Sequence, residues 1–188
     1  MYSFRNDYSE GAHPKVLQAL ADTNLRQTVG YGLDPCCQAA ADTIRRLCAA
    51  PDAAVHFLVG GTQVNLVTID AFLQSYEAVV AAQTGHVSTH ETGAIEATGH
   101  KVCTVERPDG KLTPALIESV LAGHNGTEHM VLPRLVYISD TTEIGTLYTK
   151  AELTALRQCC DAHGLFLYLD GARLGSALTL SLIHISEP

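Results

Sequence analysis

From residue 55 onward, short β-rich runs alternate with longer stretches of helical spacing, and few folds accommodate that order. Apolar runs at 55–59, 78–82, 101–105, 135–138 and 165–169 read as strands. Between them, 62–75, 90–98, 113–121 and 150–163 carry helical patterns, with Leu153, Leu156 and Cys160 on one face of the last. Such alternation predicts an α/β chain built on a mainly parallel sheet with helices over both faces. The amino-terminal third differs. Pro14 and Pro35 each open a helix, to about residues 21 and 49, because proline is tolerated in a first turn. We therefore expect an arm with helices over 1–50 and the sheet-bearing domain over 51–179.

With 46% apolar and 17% charged residues in 188, the chain can bury a substantial core. Its net charge of −8 argues against a nucleic-acid partner, which needs clustered Lys and Arg. A single local site can still hold an anion. No apolar run approaches the roughly 20 residues that cross a bilayer, and the start shows no secretory pattern, so no membrane partner and a cytoplasmic location are expected. Cys36, Cys37, Cys48, Cys103, Cys159 and Cys160 include no Cys-x-x-Cys and read as free thiols.

Three motifs carry chemistry. Gly60-Gly61-Thr62-Gln63 follows a β-rich run and opens a helix, where exposed N–H groups and the helix dipole attract anions. It is neither a P-loop nor a dinucleotide fingerprint. His90-Glu91-Thr-Gly93 places an imidazole where it could stack on a flat ring and move protons near neutral pH. His86 and His90 have helical metal-ligand spacing, but Gly85 and Gly93 disfavour a continuous helix, and no metal is expected. Finally, Asp170 ends an apolar run, a position costly for an unpaired charge, and Arg173 follows three residues later.

In this order, Gly60-Gly61-Thr62, His90-Glu91-Thr-Gly93 and Leu169-Asp170-Gly-Ala-Arg173 resemble the pyridoxal 5′-phosphate (PLP) site of the threonine aldolase and β-eliminating lyase family. The resemblance covers residues 4 to about 178. It implies the type I PLP fold, a large α/β domain plus a small one, and a homodimer or homotetramer with its active site between subunits. It also implies that Gly61, Thr62 and Gln63 bind the cofactor phosphate with Tyr31 nearby, and that His90 stacks on the ring. Asp170 would pair with the pyridine nitrogen, keeping the ring an electron sink, and Arg173 would hold an α-carboxylate by two prongs. Asn6 and Asp7 match the opening segment at the mouth of the site. Thr142 stands where well-known threonine aldolases carry a histidine beside the substrate hydroxyl. A threonine donates a hydrogen bond there but accepts no proton at neutral pH.

The implied reaction cleaves a β-hydroxy-α-amino acid to glycine and an aldehyde, with His90, or a water it positions, accepting the proton. β-Elimination or transamination is the alternative within PLP chemistry. A non-catalytic fragment or binding module is the alternative of another class. The family's Schiff-base lysine is expected after Asp170, whereas Lys15, Lys101, Lys111 and Lys150 all precede it. Residues 180–188, Leu-Ser-Leu-Ile-His-Ile-Ser-Glu-Pro, back-translate to a transposon-end sequencing adapter read in frame. The large domain is therefore expected to be incomplete at its carboxyl end, with an uncovered sheet edge that favours aggregation or a partner.

Overall fold

The computed structural model describes residues 3, 5–124 and 126–185, with side chains to residue 180. Two compact units emerge, Met1–Phe57 and Leu58–Pro188. The first holds α1 (Pro14–Thr23) and α2 (Pro35–Leu47). Both begin with proline behind a capping side chain: His13 Nδ1 accepts from the Lys15 N–H, and Asp34 accepts from Cys36 and Cys37.

The second unit carries α3 (Gly61–Phe72), β1 (Glu77–Ala82), α4 (His86–Thr89), α5 (Ala94–Ala97), β2 (Lys101–Val105) and α6 (Pro114–Gly123). It continues with β3 (Leu132–Ser139), α7 (Lys150–Ala162), β4 (Phe166–Asp170) and α8 (Leu174–Ile185). The strands run in the order β2-β1-β3-β4, and every pairing is parallel. Alternation along the strands divides the core. Val79 and Ala81 of β1, with Leu135 and Tyr137 of β3, pack with Ile69, Val87 and Ile95 on one face. Val80, Ala82, Val136 and Ile138 pack on the other with Ile117, Leu156 and Cys160. All six residues of β1 are buried, as a strand covered on both faces requires.

Two local expectations need correction. Residues 55–59, read as a strand, are irregular, and Phe57, Leu58 and Val59 are exposed. No described strand pairs with them, and β-propensity expresses itself only against a neighbour. The helix expected over 90–98 forms only as the four-residue α5, because Thr92 (φ 55°) and Gly93 (φ 73°) enter the left-handed region and separate it from α4 at 86–89. On the outer strand β4, Phe166 and Leu169 are partly exposed.

Strong acid should weaken α7. Thr149 and Glu152 form a reciprocal capping box, and Lys111 Nζ lies 2.8 Å from Glu152 Oε1. The Lys111 ammonium, followed by the Thr149 N–H, holds the Glu152 carboxyl at about 2, down from an ordinary 4.5. Because the folded value is depressed, this contribution is complete above about 4.5 and lost as pH falls through about 2. In denaturant melts across that window, Glu152→Gln should flatten the acid dependence of stability. An unchanged slope would assign the acid response to other groups.

Candidate functional site

In a parallel sheet all strands end on the same side, so the loops after β1, β3 and β4 gather at one edge. Asp170, the last residue of β4, is the hub. Its Oδ2 accepts from the Tyr137 hydroxyl at 2.6 Å and from Asn65 Nδ2 at 3.2 Å, and its Oδ1 accepts the Ala172 N–H at 3.0 Å. Burial, then the neighbouring Asp170, push the Tyr137 phenol far above its usual range, so it serves as a donor. Two residues before Asp170, Tyr168 is pushed up to about 12 by burial, and its hydroxyl donates to Asn65 Oδ1 at 2.7 Å.

Asn65 lies one turn into α3, where period 3.6 puts it on the buried stripe with Ile69. Its Nδ2 also donates to Glu91 Oε1 at 2.5 Å. The left-handed turn after α4 directs Glu91 inward: its side chain is fully buried, and Oε1 also meets His86 Nδ1 at 2.7 Å. Glu91 Oε2 has no partner among the described residues. The His86 and His90 rings stack, with centroids 5.4 Å apart and planes at 22°. His90 itself is exposed, and its Nδ1 lies 2.6 Å from Thr89 Oγ1. The side-chain hydrogen bonds around Asp170 therefore include His86, while His90 adjoins it through the ring stack and a backbone N–H to the His86 carbonyl at 2.9 Å.

Gly61, Thr62 and Gln63 form the first turn of α3. Gly60 caps it without a side chain, and a Cβ at Gly60 or Gly61 would meet nothing within 4 Å. Gln63 Oε1 folds back to the Val59 N–H at 3.2 Å. First-turn amides and the positive end of the dipole make the start of α3 favourable to an anion. It lies about 6 Å along the axis from Asn65, at about 1.5 Å per residue.

Arg173 Nη1 stands 3.6 Å from Glu143 Oε2, and Glu143 Oε1 accepts from Ser139 Oγ at 3.1 Å. Thr142 is buried, and its hydroxyl lies 2.7 Å from that of Thr146. Because Thr146 Oγ1 donates to the Asp109 carbonyl, Thr142 must donate to Thr146, so its proton is committed within the turn. Asn6, Asp7 and Tyr31 belong to the first unit. There Asn6 Oδ1 accepts from Tyr8 and Ser9, and Tyr31 is fully exposed at φ 63°.

The cluster's chemistry suits one kind of ligand. At the sheet end, Asp170 and Glu91 present carboxylate oxygens suited to a cation. At the start of α3, first-turn amides suit an anion. A planar ring with a protonated nitrogen and a phosphate arm, as in PLP, matches both ends.

This arrangement defines the partial large domain of the type I PLP-dependent enzymes. An alanine–glyoxylate aminotransferase from Nostoc shares the fold alone, with a TM-score of 0.60, 21% identity, and 85% of this chain and 40% of that one covered. The chain belongs to the β-eliminating lyase family, whose profile matches residues 4–187 and whose members depend on PLP. The low specificity L-threonine aldolase of Pseudomonas aeruginosa is 36% identical over 176 residues, covering 93% of this chain and 50% of its own length. That of Saccharomyces cerevisiae is 27% identical over 186 residues, covering 97% and 47%. A threonine aldolase structure from Leishmania major has a TM-score of 0.92 at 58% identity, covering 95% of this chain and 52% of that one. The chain thus spans about half the length of the curated relatives it matches.

Proposed function

We propose that the full-length protein is a PLP-dependent aldolase that cleaves a threonine-like β-hydroxy-α-amino acid to glycine and an aldehyde. The observation that carries this reading is Asp170, a strand-end carboxylate held by Tyr137 and by Asn65, the latter one turn along α3 from the Gly61-Thr62-Gln63 amides. When bound, PLP supplies an electron sink for the pair released at Cα. Asp170 holds the ring nitrogen in its protonated state. Gly61, Thr62 and Gln63 hold the phosphate through backbone N–H groups and the Thr62 hydroxyl.

Of the two stacked histidines, His86 is the one we set against the ring, because Glu91 ties it to the Asp170 cluster. His90, exposed beside it, takes the substrate hydroxyl proton directly or through one water. Arg173 binds the substrate carboxylate. Its present Glu143 contact, at 3.6 Å, is too long for a strong hydrogen bond and can exchange one carboxylate for another. Asn6, Asp7 and Tyr31 are assigned to the mouth and phosphate side of the site, completed in a cytoplasmic homodimer or homotetramer. Thr142, its proton committed to Thr146, shapes the substrate side without taking a proton.

The lysine that anchors the cofactor is assigned to the length of the relatives that this chain does not span. Lys111 is engaged by Glu152 and by the Tyr148 ring, while Lys15, Lys101 and Lys150 are exposed on other elements. Borohydride reduction of the 188-residue chain with PLP should therefore fix no cofactor to any of the four. A stable adduct at one of them contradicts the assignment.

The direct test is glycine and aldehyde formation from threonine and related β-hydroxy amino acids by the full-length protein. Release of ammonia and a keto acid instead would favour β-elimination. Arg173→Lys should raise the KM for the amino acid by about 10- to 100-fold, because one charged prong replaces two. An unchanged KM removes Arg173 from the substrate site.

A further inference from the structure

Glu91 stands out among the polar side chains of the second unit. It is a carboxylate with a fully buried side chain, and among the described residues its side-chain hydrogen bonds all fall on one oxygen. Oε1 meets both His86 Nδ1, at 2.7 Å, and Asn65 Nδ2, at 2.5 Å. Asn65 cannot turn its amide over. Its Oδ1 already accepts from Tyr168, and a flip would aim that oxygen at the carboxylates of Glu91 and Asp170. A carboxylate accepts but does not donate, so the proton on the His86–Glu91 contact belongs to Nδ1. His86 then presents Nε2 on its other side.

We propose that Glu91 is a positioning residue: through Oε1 it fixes His86 as the Nδ1–H tautomer and aims the Asn65 amide at Asp170. One acidic side chain thereby orients two groups that the aldolase reading places on the cofactor, the ring-facing imidazole and the partner of the pyridine nitrogen. The inference rests on that reading for the ligand but not for the geometry. A buried hydrogen-bond acceptor that fixes a histidine's tautomer serves metal sites in the same way.

The test uses the full-length protein without PLP. Nitrogen-15 shifts of His86, recorded at alkaline pH where an imidazole carries one proton, should put that proton on Nδ1. A wild-type His86 protonated on Nε2 overturns the proposal without any variant. In Glu91→Ala the proton should redistribute toward Nε2, and the Kd for PLP, read by absorbance titration, should rise about 10-fold or more. Glu91→Gln keeps an acceptor at the Oε1 position and should rescue most of the tautomer and part of the affinity. If Glu91→Ala does not fold, the glutamine variant decides: affinity and tautomer lost as completely as by denaturation assign Glu91 a purely structural role. Aldolase activity with a His86 proton on Nε2 would defeat this inference alone. A proton on Nδ1 without aldolase activity would defeat only the functional reading.

Discussion

Asp170→Asn in the full-length protein should lower kcat/KM for a β-hydroxy amino acid by on the order of 1,000-fold, while leaving the fold intact. The two effects separate because the buried hydrogen bonds need only one acceptor atom. An asparagine oxygen can still receive the Tyr137 hydroxyl and the Asn65 amide that Oδ2 receives now, and only the exposed Ala172 N–H loses its Oδ1 acceptor. What the substitution removes is the charge, and with it the partner that keeps a pyridine nitrogen protonated. It also removes one of two carboxylates bridged by a single amide, so the melting temperature should stay level or rise. Such opposition between stability and activity is common at functional sites. Wild-type turnover by this variant would remove Asp170 from the chemistry. A collapsed melting temperature would instead make it a structural residue.

The largest loss of stability is expected at Leu156→Ala. Leu156 is completely buried on α7, within the cluster that joins this helix to Val136, Ile138 and Leu165 beneath the sheet. Removing its branched end leaves a cavity between a helix and a sheet, neither of which can close on it without moving. A loss of about 2–5 kcal/mol follows, and roughly 5–15 °C in melting temperature for a domain of this size. Val59→Ala is the control: Val59 is 95% exposed and should cost no more than about 0.5 kcal/mol. Equal melting temperatures for the two variants would mean that α7 is not docked as described.

The architecture was legible in the sequence wherever a segment's pattern matched its final surroundings. The runs at 101–105 and 165–169 became β2 and β4, and the helical patterns at 113–121 and 150–163 became α6 and α7. Residues 55–59 misled because strand propensity says nothing about whether a partner is present. At the site, Asp170 could be read from its place at the end of an apolar run. Asn65 could not, since a polar residue on a helix stripe acquires meaning only when strands from elsewhere arrive beside it. One signal was available and undervalued: Glu91, five residues after His86, is acidic in a stretch that folds inward. Attention to His90 alone missed that His86 holds the hydrogen bond into the cluster. Tyr137 and Tyr168 were hidden by their type, because an aromatic residue in a strand usually signals core, and only its hydroxyl's partner says otherwise.

The separation along the chain of the groups that meet at Asn65 bears on the order of events during synthesis. Two of its three recorded side-chain partners, Tyr168 and Asp170, come from β4, more than 100 residues downstream, and only Glu91 comes from nearby. A nascent chain that has emerged only as far as β3 already carries Asn65, Glu91, His86 and Tyr137. It lacks the carboxylate and the hydroxyl that hold the amide in place. Until β4 is delivered, a polar group destined for the interior has strong reason to stay hydrated, and α3 has reason not to settle on the sheet. Arrival of that one short strand completes both the amide's hydrogen bonding and the hub of the site. The ribosome thus supplies the site's scaffold early and its decisive carboxylate late.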